Sequence, residues 1–329
     1  MQVAKRLDEH WYGRSPLSLA LAPLGWLYCL VAVLRRKAYR LGLRPVCRLS
    51  VPVIVVGNIT VGGTGKTPLV AWLVRFLKQA GYTPGIISRG YRGNATVWPQ
   101  AVDAGSDPAL VGDEAVLLAQ HSECPVMVGP DRAAAARALL ERYPCDVIIS
   151  DDGLQHYRLG RDIEIAVIDG ARRLGNGRCL PAGPLREPRG RLRSVDFIVV
   201  NGGDAEGGQY AMRLVEQDAR NLADAGTVQP VAAFSEVHAV AGIGNPARFF
   251  SRLRALGLQI TEHPFPDHHA YQPQDLDFGD ARPLLMTEKD AVKCHRFAQA
   301  HYWYVPVEAR LDERFGERLL NLLKRRAHG

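Results

Sequence analysis

The sequence predicts an α/β protein with a parallel-sheet core, an N-terminal membrane helix and a smaller C-terminal α/β lobe. Short apolar segments alternate with helical patterns, a glycine-rich loop follows the first predicted strand, and a long uncharged segment lies near the N terminus. At 329 residues the chain is longer than one core usually allows, so two lobes are expected. The predicted boundaries are 1–48 for the membrane helix and basic linker, 49–230 for the core and 231–329 for the second lobe.

Composition limits the classes of protein to which the chain can belong. A hydrophobic content of 47% and a charged content of 23% are typical of a folded globular protein and exclude extensive disorder. The net charge of +7 suits an anionic partner, whether nucleic acid, nucleotide or anionic lipid. The six cysteines include no Cys-x-x-Cys pair, so their spacing indicates neither a zinc site nor a disulfide framework and favours a reducing compartment.

The segment from Leu17 to Leu34, LSLALAPLGWLYCLVAVL, carries no charge. A helix of this length is roughly 27 Å long, against about 30 Å for the hydrocarbon core of a bilayer. A basic run follows it: Arg35, Arg36, Lys37, Arg40, Arg44 and Arg48. We therefore expect membrane association with the body of the protein on the cytoplasmic side, through either a spanning or an interfacial helix. A buried core helix is the alternative, although such a helix usually has a polar face.

Periodicity and turn residues place the predicted elements in chain order. In the core we expect strands at 52–57, 83–88, 145–150, 163–169 and 197–200, and helices at 68–80, 114–121 and 132–142. In the second lobe we expect an extended segment at 230–241, a helix at 249–256 and strands at 258–261, 284–287 and 302–305. Strands that alternate with helices predict a parallel sheet covered on both faces.

The loop GNITVGGTGKTP lies between the first predicted strand and the first predicted helix. Glycines allow backbone N–H groups to surround phosphate oxygens, and the helix N terminus adds a favourable field. The expected nucleotide-binding residues are Thr60, Gly62, Gly63, Thr64, Gly65, Lys66 and Thr67. Lys66 would contact the β- and γ-phosphates and Thr67 would bind Mg²⁺, although Thr60 stands where the strict pattern has glycine. The loop makes the core one of P-loop NTPase type.

Two acidic residues follow the predicted strand at 145–150. Asp151 and Asp152 would lie at its carboxyl end, where ligands of parallel sheets gather, and either could hold Mg²⁺ opposite the phosphate loop. An ordinary Asp-Asp-Gly turn is the alternative, and both descriptions can hold together. His156 is close enough in sequence to line the same cleft.

Two further polar positions have ordinary structural explanations. Asp113 precedes a predicted helix and fits an N-cap. The sequence Pro266-Asp267-His268-His269 resembles a metal-ligand pair, but no cysteine lies near it in sequence, so a zinc site is not expected.

Eight motifs occur in one order along nearly the whole chain: GNITVGGTGKTP, ISRGYRG, VGDE, SDDGLQH, PAGPLREP, GIGNPARFF, PDHH and MTEKDAVK. In order and spacing they resemble the lipid A tetraacyldisaccharide 4′-kinase family. The resemblance implies transfer of the ATP γ-phosphoryl group to the 4′-hydroxyl of a tetraacyldisaccharide 1-phosphate in lipid A biosynthesis, giving lipid IV(A). It also implies ATP and Mg²⁺ as cofactors and a location at the cytoplasmic face of the inner membrane.

The resemblance also implies roles for individual residues. Asp113 and His268 would form a catalytic dyad, a choice over His269 that the sequence leaves open, and Lys66 and Asp152 would complete the catalytic set. Residues expected at the edge of the substrate cleft are Arg89, Arg92, His156, Arg186 and Glu187. The expected partners are an acylated disaccharide 1-phosphate and membrane lipid; we expect no nucleic-acid partner, and no protein partner is evident.

Two other functions are compatible with parts of the pattern. A membrane-associated regulatory P-loop ATPase shares the Gly-Gly-x-Gly-Lys-Thr core, but such proteins typically have a lysine where Val61 stands. A dinucleotide-binding oxidoreductase would explain Gly242-Ile-Gly244-Asn-Pro-Ala247 with Glu262 downstream. Helix capping by Asn245, with Pro246 in the first turn, explains the same segment more simply.

Overall fold

The computed structural model describes residues 10–13, 15–224 and 226–327, which form two sheets with helices packed on them. The first sheet consists of β1 (Val53–Gly57), β2 (Pro84–Ser88), β3 (Gln100–Val102), β4 (Val126–Val128), β5 (Val147–Ser150), β6 (Ile163–Asp169), β7 (Phe197–Asn201), β8 (Tyr210–Glu216) and β15 (Val307–Leu311). The second consists of β9 (Ala219–Asn221), β10 (Val228–Gln229), β11 (Glu236–Ala241), β12 (Gln259–Pro264), β13 (Leu284–Thr287) and β14 (Tyr302–Val305).

The helices of the described residues lie mainly between strands. They are α1 (Pro16–Ala20), α2 (Ala22–Arg40), α3 (Lys66–Gln79), α4 (Pro108–Val111), α5 (Asp113–Ser122), α6 (Arg132–Arg142), α7 (Pro246–Ala255), α8 (Glu288–Cys294) and α9 (Glu313–Ala327). Short 3₁₀ turns occupy Arg189–Ser194, Val231–Ala233, Pro273–Leu276 and His295–Phe297.

The first sheet has the order β15-β8-β7-β6-β1-β5-β2-β4-β3. Its strands from β8 to β4 pair in parallel, while β3 and β15 pair antiparallel at the two edges. Strand β1 is buried along its whole length, because helices or loops cover both faces of the sheet. The predicted parallel α/β core is therefore present, and β1 delivers the glycine-rich loop at its carboxyl end.

The second sheet has the order β10-β9-β14-β13-β11-β12, with a parallel centre and antiparallel β9 and β10. Its strands do not follow the predicted boundary at residue 230, because β9 and β10 precede that residue yet belong to this sheet. At the other end, β15 and α9 return to the first sheet, where Phe315, Leu319 and Leu323 are buried in its core. The two sheets thus divide the chain at other places than the predicted span 231–329, because strand pairing and not position along the chain decides which sheet a segment joins.

The N-terminal apolar segment forms two helices that meet at Leu21. No helix among the described residues has the length and apolar character needed to cross a bilayer. Helix α2 has 19 residues, but its last two turns carry four of the six basic residues of the linker: Arg35, Arg36, Lys37 and Arg40. The expectation of a spanning helix is therefore not supported.

Candidate active site

A cleft between the two lobes holds a cavity of about 1010 Å³. The phosphate loop, Asp151 and Asp152 line it from the first lobe, and residues 243–245, 248–249 and 267–268 line it from the second. Helix α2 forms a further wall with Tyr28, Val31, Ala32 and Arg35. The cavity thus brings together most of the residues that the sequence singled out.

The phosphate loop turns at Gly62 and Gly65, whose φ angles are +98° and +89°. Thr60 instead forms a β-bridge with Leu185, and the Val61 N–H donates to the Pro184 carbonyl at 2.8 Å. Thr60 therefore occupies extended backbone and needs no glycine, which explains the departure from the strict motif. Helix α3 begins at Lys66, directly after the left-handed Gly65.

Asn201, at the end of β7, holds the phosphate loop in place through a hydrogen bond to its backbone. Its Nδ2 donates to the Thr64 carbonyl at 3.0 Å, and a Cβ added to Gly65 would lie 2.3 Å from the same nitrogen. Arg248 of α7 in turn donates to Oδ1 of Asn201 at 3.2 Å. Only glycine fits at residue 65. The second lobe reaches the phosphate loop through Arg248, which lies in the motif GIGNPARFF, and Asn201, which lies outside every motif.

Asp152 lies between two cations. Lys66 Nζ is 3.6 Å from Oδ1, and Arg186 Nη1 is 3.1 Å from Oδ2. Burial alone would raise the pKa of Asp152, but the charges of Lys66 and Arg186 lower it to about 2, so the carboxylate is ionised at neutral pH. Its φ of +46° is unusual for a residue with a side chain and is typical of functional sites.

Asp151 has the opposite environment. It is 1% exposed, Oδ1 has no hydrogen-bond partner, and Oδ2 accepts only a 3.3 Å bond from the Ser88 hydroxyl. Burial, with the negative charge of Glu114 adding to it, raises the pKa of Asp151 to about 7. An unpaired buried carboxylate oxygen costs free energy, which a nearby cation would recover. This observation fits a divalent cation better than the turn alternative does.

Asp113 and His268 meet across the cleft, although 155 positions separate them in sequence. His268 Nδ1 lies 2.9 Å from Oδ2 and 3.1 Å from Oδ1 of Asp113. The N-cap of α5 is Gly112 and not Asp113 as expected, although Asp113 Oδ1 accepts the Glu114 N–H of the first turn at 2.9 Å. His268 has a φ of +60°, a strained conformation for a histidine. His269 bonds Asp275 instead, at 3.0 Å.

Electrostatics keep Asp113 ionised. Its burial would raise its pKa, but the hydrogen bond with His268 and the positive charge of Lys289 outweigh burial and lower it. Lys289 Nζ also lies 3.0 Å from Glu114 Oε1 and 3.2 Å from His268 Nε2. Lys289 and Glu114 belong to motifs noted in the sequence, but their position in those motifs does not indicate a role. The contacts that they make in the folded protein, beside Asp113 and His268, do so.

The residues expected at the edge of the cleft take different places. Arg89 and Arg92 are exposed at the cavity wall, and Arg92 donates to the Asp267 carbonyl at 3.3 Å. Burial and the nearby charges of Arg132 and Arg89 lower the pKa of His156 to about 4, so its imidazole is neutral.

Glu187, by contrast, is 3% exposed and is committed to contacts within the protein. It accepts a short hydrogen bond from the Tyr157 hydroxyl and lies 3.3 Å from Nε of the buried Arg191. We therefore read it as a support beneath the cavity wall.

Comparisons with known proteins agree with this geometry. The model of the family described as "LpxK: Tetraacyldisaccharide-1-P 4'-kinase" matches residues 17–324. A "Tetraacyldisaccharide 4'-kinase" of Nitrosococcus oceani is 57% identical over 97% of this chain and 94% of its own length. A protein of the same name from Methylobacillus flagellatus is 52% identical over 97% and 96% of the two chains.

Among solved structures, the "apo" form of LpxK from Aquifex aeolicus, in complex with ATP, aligns with a TM-score of 0.78. It is 29% identical in sequence, and the alignment covers 94% of this chain and 99% of that one. Family model, relatives and structure agree with the motifs and with the geometry of the cleft. The chain therefore belongs to the tetraacyldisaccharide-1-P 4′-kinase family.

Proposed function

We propose that the chain transfers the γ-phosphoryl group of ATP to the 4′-hydroxyl of a tetraacyldisaccharide 1-phosphate, giving lipid IV(A) in lipid A biosynthesis. One observation carries this proposal: His268, which lines the same cavity as the phosphate loop, holds the buried carboxylate of Asp113 from the other lobe. A P-loop protein that only hydrolyses nucleotide has no need of an acceptor-side base supplied by two lobes.

The phosphate loop would hold the triphosphate. Its glycines leave N–H groups free of side-chain cover, and Lys66 supplies positive charge at the first turn of α3. Phosphoryl transfer passes through a loose transition state, so positioning and charge stabilisation provide most of the rate. Arg186 would add a planar donor, which its contact with Asp152 already holds in place.

A magnesium ion fits the donors that the site presents. The Thr67 hydroxyl, Asp152 and the unpaired Oδ1 of Asp151 are the hard oxygen ligands that Mg²⁺ prefers. Within the described residues, no group of three or more His, Cys, Asp or Glu side chains could hold a metal by itself. Phosphate oxygens and water would therefore supply further ligands, as is usual for Mg²⁺, and the ion would neutralise phosphate charge.

Asp113 would orient the sugar hydroxyl and accept its proton. A carboxylate with a lowered pKa is a weak base, but a loose transition state needs proton acceptance only late, so correct placement is sufficient. His268 would keep the carboxylate in place from the second lobe. The dyad is complete only when both lobes are together, which couples catalysis to the closed cleft.

The exposed face of α2 would lie against the cytoplasmic surface of the inner membrane. Trp26, Leu27 and Leu30 are 72%, 60% and 53% exposed, an apolar surface unusual for a soluble helix. The basic residues at the end of α2 would meet anionic headgroups. Because α2 also lines the cavity, an acylated sugar could reach the phosphate loop while its chains remain in lipid.

A product assay tests the proposed function. Wild-type protein with ATP, Mg²⁺ and tetraacyldisaccharide 1-phosphate should give a bisphosphorylated lipid that mass spectrometry detects, and Asp113→Ala should lower kcat at least a hundredfold with little change in ATP affinity. Release of inorganic phosphate without a phosphorylated lipid would instead indicate the regulatory ATPase. A collapse of ATP affinity in Asp113→Ala would show that this residue is structural.

A further inference from the structure

The ammonium group of Lys289 lies on the far side of the His268 ring from Asp113. Helix α8 brings it there by packing against α5, where His121 and Glu288 also pair at 2.5 Å. Lys289 Nζ contacts three acceptors: Glu114 Oε1 at 3.0 Å, Asp267 Oδ1 at 3.3 Å and His268 Nε2 at 3.2 Å. The His268 ring is therefore held at both nitrogens, by a carboxylate on one side and a cation on the other.

The hydrogen-bond donors and acceptors around His268 determine which of its ring nitrogens carries a hydrogen. An ammonium group has three N–H donors and no acceptor, and Lys289 faces three neighbours. Nε2 of His268 can take part only as an acceptor, so its proton must be absent. A neutral imidazole then carries its hydrogen on Nδ1, where Asp113 accepts it. A doubly protonated ring would turn an N–H against the ammonium at 3.2 Å, with two donors and two positive charges opposed.

We propose that Lys289 is a positioning residue for the proposed phosphoryl transfer, which holds His268 as the neutral Nδ1–H tautomer. Asp113 then receives one neutral N–H donor from His268 and remains the group that accepts the proton of the sugar hydroxyl. The wrong tautomer would present a lone pair to the carboxylate and repel it, a change that is costly in other catalytic histidine–aspartate pairs. The raised pKa of Lys289, which the carboxylates around it cause despite burial, keeps the ammonium charged.

Other charged and titratable groups around His268 come from each neighbouring element. They are Asp113 and Glu114 on α5, Lys289 and Lys293 on α8, Tyr91 and Arg92 after β2, and Asp267 beside it. Among them, Lys289 alone is within hydrogen-bond distance of Nε2 in the part of the chain that the structure describes. Replacing Lys289 therefore removes the contact that decides the tautomer and leaves the Asp113 contact available.

The test uses full-length protein labelled with ¹⁵N-histidine, with His268→Asn to assign the His268 signals. Wild-type His268 should show a protonated Nδ1 and an unprotonated Nε2 across neutral pH. In Lys289→Met the two tautomers should mix. We expect kcat to fall roughly tenfold, with an unchanged KM for ATP. Lys289→Arg should restore part of the tautomer preference.

Glu288→Gln is the matched control, because it removes the negative charge of the neighbouring α5–α8 contact with His121 without touching His268. It should leave the tautomer and kcat unchanged. An Nε2–H tautomer in the wild type, or an unaltered tautomer and kcat in Lys289→Met, would overturn the proposal. The wild-type spectrum decides the tautomer even if Lys289→Met does not fold. It is also recorded without substrate, so its failure is distinct from a failure to phosphorylate the disaccharide.

Discussion

Gly244 of the second lobe lies directly against Gly63 of the phosphate loop: a Cβ at residue 244 would be 3.3 Å from the Gly63 nitrogen. Arg172 Nη2 fixes this turn by donating to the Gly244 carbonyl at 3.3 Å. The pattern Gly242-Ile-Gly244 thus serves close approach between two lobes, for which a dinucleotide is not required.

We predict that Gly244→Ala weakens ATP binding. The added methyl group must displace a backbone nitrogen of the phosphate loop by a few tenths of an ångström, and overpacking of this kind costs about 1 kcal/mol or more. The KM for ATP should rise roughly fivefold, measured at saturating disaccharide. Gly207→Ala is the control, since a Cβ there meets nothing within 4 Å. Equal KM values in the two variants would show that the contact is not transmitted to the nucleotide.

Lys66→Met should reduce kcat by at least about a hundredfold, the usual loss when one charged donor to a transferring phosphoryl group is removed. It should also free Asp152 from one of its two cations and raise the pKa of that carboxyl. Steady-state kinetics under saturating ATP measure the first effect. Activity within threefold of the wild type would refute the phosphate assignment.

The double variant Trp26→Ser with Leu30→Ser should bind lipid vesicles at least roughly tenfold more weakly. The two side chains lie one turn apart on the exposed face of α2, and each buried large apolar side chain is worth about 1.5–3 kcal/mol. Neither lines the cavity, so turnover of detergent-dispersed substrate should remain near normal. Val97→Ser is the control, because it removes an exposed apolar side chain from a loop away from α2. Unchanged sedimentation with vesicles would contradict membrane docking through α2.

His156 should make stability depend on pH. Its pKa is 6.5 in the unfolded chain and about 4 in the folded protein, so between these values only the unfolded state binds the proton. The free energy of unfolding should therefore fall as the pH is lowered from 6.5 to 4, by no more than about 3 kcal/mol and by less with solvent screening. His156→Gln removes this contribution. Urea unfolding at pH 5 and 7.5 measures the difference, and an equal drop in both proteins would exclude His156 as its source.

The sequence predicted those parts of the site that are formed by contiguous residues better than those formed by residues far apart in the chain. The phosphate loop and the aspartates after β5 are contiguous segments that sequence motifs identify. Both lie at the carboxyl ends of parallel strands, where such sheets bind their ligands. The contact of Asp113 with His268 joins residues 155 positions apart, and only the family resemblance indicated it. Asn201 lies outside every motif, and the motif that contains Arg248 does not show what this arginine contacts, because folding supplies the partner through which each residue acts.

The predicted lobe boundary differs from the division into sheets for a related reason. Helix α9 and strand β15 follow the second lobe in the chain, and periodicity shows that a helix buries one face without showing which element it packs against. Phe315 and Leu319 pack on the first sheet. The apolar count that left a spanning helix open beside an interfacial one likewise gave too little weight to the basic turns in which α2 continues.

The chain passes between the lobes at two places that adjoin each other. Residues 217–218 lead out of the first sheet and Pro306 leads back, and the Gln217 N–H donates to the Pro306 carbonyl at 2.9 Å. A backbone hydrogen bond thus holds the two crossings together. Because Asp113 belongs to the first lobe and His268 to the second, a separation of the lobes along the cleft would break their contact and leave a bound ATP without the assembled pair beside it.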